Sequence, residues 1–170
     1  TQIARAAGDT LLRSDEIRNR HTQLRTLTED LRAREDGIAK TEISHTAQLS
    51  IKDAEIAQVE RELMFRRRHT DTSRDLVTRL GKLASSGGIS RIEMARLQLD
   101  FAESEKDLSI TEKNLESAKL ERERMVNERT RQRSDEQAVV QNLKSRIEAL
   151  QRDLENSRQD HMSIRAPYAA

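Results

Sequence analysis

Four histidines, His21, His45, His69 and His161, are the first side chains to weigh for chemistry. None pairs with another histidine or a carboxylate at the spacing of a helical metal site, so each reads as a solvated helix position. Serine and aspartate are plentiful, but no Gly-x-Ser-x-Gly elbow is present to expose a nucleophile. Gly87-Gly88 has no strand before it and no Gly-Lys-Ser/Thr after it, so it is not a phosphate loop. Without cysteine there is no thiolate nucleophile, thiolate zinc site or disulfide. No enzymatic role, cofactor or metal is expected. The chemistry that remains is recognition.

Arg66-Arg67-Arg68 and the group Arg129, Arg131 and Arg133 are two basic clusters. Nucleic-acid binding would ask for interleaved aromatics on one basic face, and only Phe65 is near. If the chain folds back on itself at Gly87-Gly88, the first cluster lies opposite Glu103, Glu105 and Asp107. The second lies opposite Glu42 and Asp53. Cross-helix ion pairs are therefore expected, and no nucleic-acid partner.

Arg79, Leu83 and Ser90 carry the more specific pattern, Arg-x3-Leu-x6-Ser across that glycine pair. Arg79 can donate to carboxylates or carbonyls at the end of a partner helix. Leu83 offers a small apolar anchor, and Ser90 can cap its own helix while reaching outward.

The elements that present these residues follow from composition and period. Of 170 residues, 31 are Lys or Arg and 30 are Asp or Glu, for a net charge of +1. Charged residues reach 36%, apolar residues 34% and aromatics only 2%. Two Phe and one Tyr cannot fill a compact core, and balanced charge with a single proline argues against disorder. The near-neutral balance supplies no field to draw in nucleic acid or an anionic membrane. No apolar run approaches the ~18–20 residues that span a bilayer, and no signal peptide opens the sequence. What fits is long helix with a thin apolar seam.

Ile17, Leu24, Leu31, Ile38 and His45 fall seven apart, with Leu27 beside them. Leu49, Ile56, Leu63, Thr70 and Val77 repeat at sevens in a shifted phase, joined by Val59 and Leu80. The 11 residues from Ile38 to Leu49 are seven plus four, a stutter, with Gly37 just before it. A bend or break is expected between Gly37 and Leu49. In the second half Met94, Phe101, Leu108 and Leu115 keep one frame, resumed by Leu143 and Leu150. Leu97, Ala118 and Met125 accompany them, while Val140, Ile147 and Leu154 drift by one position. The polar span from Arg122 to Gln137 should pack loosely and lean on charge pairing.

Between the halves, Ala84-Ser85-Ser86-Gly87-Gly88-Ile89-Ser90 is the interior loop signal. Ser90 with Glu93 forms a Ser-x-x-Glu capping box that starts a second helix, and Pro167 ends it. The expectation is an all-α fold: a long antiparallel two-helix coiled-coil hairpin, with arms over 1–84 and 90–163 and a tip turn at 85–89. Each arm of ~70–75 residues would be ~105–115 Å long. A straight parallel dimer is the alternative, and the central break argues against it.

With that architecture, the Arg79, Leu83 and Ser90 pattern resembles the tip of periplasmic adaptors, the membrane fusion proteins of the HlyD and AcrA kind. Ile164-Arg165-Ala166-Pro167-Tyr168 is similar to the family's I-x-A-P-x-x-G segment, which opens the second half of a lipoyl-like domain. Ala170 stands where that pattern has glycine. The resemblance implies that 164–170 begins a truncated lipoyl-like segment. It further implies that Arg79, Leu83 and Ser90 dock with a TolC-type outer-membrane channel, in the periplasm of a Gram-negative bacterium. Partners would be that channel, an inner-membrane ABC transporter reached through other domains, and further copies in a hexamer of a membrane-anchored full-length protein. Arm length resembles adaptors of type I protein secretion or the EmrA kind more than the shorter multidrug efflux adaptors of the AcrA kind. An unrelated coiled-coil scaffold is the competing reading.

Overall fold

A computed structural model describes residues 2–165 of the chain, which form two α-helices: α1 over Gln2–Ser85 and α2 over Arg91–Arg165. The helices pack together as an all-α hairpin, with no strand among the described residues. Of the seven residues expected to open a lipoyl-like segment, Ile164 and Arg165 belong to α2. The rest lie outside the described residues.

Contacts divide the chain into two units. The turn unit is Ser44–Arg129, and the terminal unit pairs Thr1–Ile43 with Thr130–Ala170. In the turn unit, antiparallel pairing is fixed by cross-helix links at several levels. Asp53 meets Arg122 at 2.5 Å, Lys52 meets Glu121 at 2.6 Å, and Arg66 meets Asp107 at 3.3 Å. In the terminal unit Arg20 donates to Ser157 at 3.2 Å, Glu35 faces Lys144 at 4.0 Å, and Glu42 pairs with Arg133.

Burial follows the heptads. On α1 one track runs at sevens from Ile17 through Ile38 and His45 to Leu80, every member half-buried. Its companion shifts phase: Arg20 and Leu27 follow the track by three residues, whereas Glu42 and Leu49 precede it by three. On α2 the track from Met94 to Ser157 behaves the same way. Leu97 and Ser104 follow it by three, and Val140, Ile147 and Leu154 precede it by three. The drift read from the sequence is thus a phase switch made once in each helix, between Leu27 and Glu42 on α1 and at Met125–Val126 on α2.

The expected break between Gly37 and Leu49 is absent, because α1 stays helical through all 84 of its residues. A four-residue insertion exceeds one 3.6-residue turn only slightly, so supercoiling absorbs it without opening backbone hydrogen bonds. Gly37 remains inside the cooperative helix despite its ~1 kcal/mol penalty. The span from Arg122 to Gln137 also stays helical. It leans on charge as expected, but it is not uniformly loose: Arg129 is 4% exposed.

The seam is thin. Among the described residues the buried apolar side chains are Leu63 and Leu143, 6% and 5% exposed, one in each unit. Thr70, Ser104 and Thr111 are also buried, all three in the turn unit. Each hydroxyl finds a carbonyl, so burial leaves none unsatisfied: Thr70 donates across the seam to Ser104 O at 3.2 Å, Ser104 to Asp100 O and Thr111 to Asp107 O.

The turn is closed by a Schellman motif. Gly88 N donates to Leu83 O at 2.8 Å and Gly87 N to Ala84 O at 3.2 Å, satisfying the last carbonyls of α1. Gly87 has φ +81°, a conformation that costs a residue with a Cβ ~1 kcal/mol or more. Gly37, in contrast, is helical with open space where a Cβ would project. Gly87→Ala should therefore lower stability by ~1 kcal/mol and Gly37→Ala should raise it by ~0.5–1 kcal/mol. Urea titrations followed by circular dichroism at 222 nm check both signs.

Candidate functional site

The turn unit ends in Arg79, Leu83 and Ser90, and the local hydrogen bonds set each of them differently. Arg79 and Leu83 stand four residues apart, on one face of the last turns of α1. That face lies outside the seam: the half-buried positions here are Val77, Leu80, Gly81 and Ala84, joined by Ile89 in the turn and Met94 on α2. The Leu83 side chain remains 49% exposed. Its carbonyl accepts from Ser86 N, Ser86 Oγ and Gly88 N, so its backbone is held from the C-terminal side.

The Arg79 side chain is 78% exposed and pairs with Asp75 at 3.3 Å, one turn earlier on the same helix. An exposed pair of this kind contributes at most ~0.5 kcal/mol, and the guanidinium has five N–H donors. It can turn to a partner at little cost. Ser90 precedes α2 as its N-cap: Ser90 Oγ accepts from Glu93 N at 3.2 Å, the first bond of the capping box. The cap bond uses only the hydroxyl oxygen as acceptor, so the hydroxyl hydrogen can still be donated to an acceptor.

Two further residues of this end escaped the motif. Ile92 is 73% exposed and Leu76 is 43% exposed. Their signal in the sequence is subtle: each is seven residues from another apolar residue, Leu99 and Leu83, in a frame that is not the seam.

The basic clusters are absorbed largely as ion pairs. Arg66 meets Asp107 and Arg67 meets Glu112 at 4.0 Å, while Arg133 takes Glu42. Asp53 pairs with Arg122 rather than with the 129–133 group, because Arg122 lies level with it across the seam. Among the described residues no group of three or more metal-ligating side chains is gathered, and no helix is long and apolar enough to cross a membrane.

The pairing at Lys52 and Glu121 also perturbs titration. The hydrogen bond from Lys52, then its charge, holds the Glu121 carboxyl below the ordinary range. The hydrogen bond to Glu121, and next that to Glu55, pushes the Lys52 ammonium up. A depressed carboxyl contributes stability that is complete above its unfolded-state value and is lost as pH falls through the folded one. A raised ammonium contributes stability that is complete below its unfolded-state value and is lost as pH rises through the raised one. At low salt the melting temperature should therefore fall at both ends, and Glu121→Gln should lessen both falls. Circular dichroism melts across a pH series check this.

No family model matches the chain, and neither the curated proteins nor the solved structures contain a match to it.

Proposed function

We propose that this chain is the helical hairpin of a periplasmic adaptor, a membrane fusion protein of the HlyD kind that bridges an inner-membrane transporter and a TolC-type outer-membrane channel. The transport system is ABC-driven type I protein secretion. In this reading the transporter hydrolyses ATP, while the adaptor spans the periplasm and helps seal the conduit.

One observation carries the reading. Arg79 and Leu83 stand exposed on one face at the closed end of the turn unit, outside the seam that holds the helices together. Packing in the seam does not account for residues that are 78% and 49% exposed. A donor with spare N–H groups beside an apolar anchor, next to a helix N-cap, suits the helix ends and turns of a channel mouth.

The direct test is capture of a detergent-solubilised TolC-type channel by the immobilised chain. Retention that a peptide covering 76–99 competes away would support the reading. Retention of a scaffold partner at the seam flanks, with no channel bound at any concentration up to ~100 μM, would replace it with the scaffold reading.

A further inference from the structure

The seam is left incomplete at one layer of the terminal unit. On the α2 track Leu143 and Leu150 are followed, seven residues on, by Ser157. The residue that meets Ser157 from α1 is Arg20, one heptad before Leu27, and it donates to the serine hydroxyl at 3.2 Å. A serine fills far less of the space between two helices than the leucine this repeat supplies elsewhere. At this height a groove of about 850 Å³ runs between α1 and α2. Sites that enclose a small organic molecule measure roughly 300–1,000 Å³.

The groove is apolar at one end and cationic at the other. Ile17, Leu24 and Leu154 line it and are half-buried. Measured from the Arg20–Ser157 bond, Leu24 and Leu154 lie four and three residues towards the turn, and Ile17 lies three residues away from it. From Leu24 to Ile17 this floor is ~10 Å long at 1.5 Å per residue. Arg13 and Arg158 line the groove on the side away from the turn, seven residues and one residue from the same bond. Among the described residues neither guanidinium has an ion pair or a hydrogen bond. Glu16 and Glu155 each stand three residues from one of them on its own helix, and neither is engaged. In the turn unit, by contrast, Arg66 and Arg122 each take a carboxylate across the seam, at 3.3 and 2.5 Å.

We propose that this groove binds a single-chain anionic amphiphile, an alkyl carboxylate of the fatty-acid class. Its chain lies along Leu24, Leu154 and Ile17, and its head lies between Arg13 and Arg158. A guanidinium presents a planar fork of N–H donors that matches a carboxylate. The alkyl chain covers the apolar surface that Ser157 leaves open. A neutral apolar ligand would leave both arginines unused, and a polar anion would set its unpaired groups against the leucines. Glu155, the one carboxylate lining the groove, fixes the direction. It lies two residues on the turn side of the Arg20–Ser157 bond and repels an anionic head from the leucine end. The groove belongs to the terminal unit alone, so its ligand is independent of what the turn docks with.

Octanoate is titrated calorimetrically into the 170-residue chain, beside octanol and octylammonium, which keep the alkyl chain and change the head. Octanoate should bind once per chain with a Kd of ~100 μM or tighter. Octanol should bind about tenfold more weakly, having lost the charge-assisted pair, and octylammonium should not bind measurably. A double variant, Arg13→Gln with Arg158→Gln, should weaken octanoate about tenfold and remove its advantage over octanol. Ser157→Leu, which completes the heptad, should weaken octanoate about tenfold while the helices melt at the same or a higher temperature. No saturable binding, equal binding of the three heads, or an octanoate advantage that survives the double variant would each overturn the proposal. Retention on anionic phospholipid vesicles without binding of soluble octanoate would overturn it too, and would assign the arginines to a membrane surface.

Discussion

Arg79→Asp or Leu83→Asp in the full-length protein should abolish export while leaving the hairpin folded. Neither side chain belongs to the seam, so each change should cost the fold no more than ~1 kcal/mol. Leu83 contributes to the turn through its carbonyl, which any residue supplies, and not through its side chain. Docking, by contrast, would lose a charge-assisted donor or an apolar anchor, each worth ~1–3 kcal/mol. On the proposed reading, repetition over several adaptors on one channel would multiply that loss. Removing Arg79 leaves Asp75 unpaired, so Arg79→Lys is the informative companion: it keeps the charge but loses the planar fork, and should retain partial export. Thermal melts, channel pull-down and secreted cargo are measured on the same variants. Normal melts with undiminished channel recruitment and export would refute the docking assignment.

Leu63→Ala and Leu143→Ala should be the costliest single truncations, at ~2–4 kcal/mol each, because these are the apolar side chains most completely removed from water. Leu120→Ala, at a side chain 56% exposed, should stay within ~0.5 kcal/mol. The more telling result is where protection is lost. In a two-helix seam every layer touches only the layers above and below it, so the damage should spread along the helices and fade. Amide exchange should quicken mainly within Ser44–Arg129 for Leu63→Ala, and mainly in the segments up to Ile43 and from Thr130 for Leu143→Ala. Equal acceleration of both units by either variant would contradict this layer-by-layer coupling.

The helices and their turn were legible because they rest on local rules. A seven-residue apolar repeat, an adjacent glycine pair and a Ser-x-x-Glu cap each act within a few residues. The Schellman bonds at Leu83 and Ala84 and the Ser90 cap are their direct products. Helix continuity at Gly37 was misjudged because a glycine penalty of ~1 kcal/mol is local, whereas the cooperativity that overrides it belongs to the whole helix. Buried Arg129 was also invisible: its place at seven-residue spacing from Arg122 and Glu136 becomes visible only once the polar span is allowed to keep the frame. Of the site, Arg79 and Leu83 could be named from their spacing. Their exposure could not, because a leucine before a turn reads equally as the last seam residue. Leu76 and Ile92 were hidden by the stronger seam repeat running through the same helices.

The shared levels of the two helices make length a quantity that can change without disturbing either end. A block of seven residues removed from α1 and the facing block of seven from α2 would carry away two complete seam layers and rejoin the tracks in phase. Each such paired deletion in the turn unit would shorten its helices by ~10 Å at 1.5 Å per residue. A deletion from one helix alone would put every remaining layer beyond it against the wrong neighbour. The reach of this hairpin can thus be adjusted in discrete, symmetric steps, like a ruler cut at its own graduations.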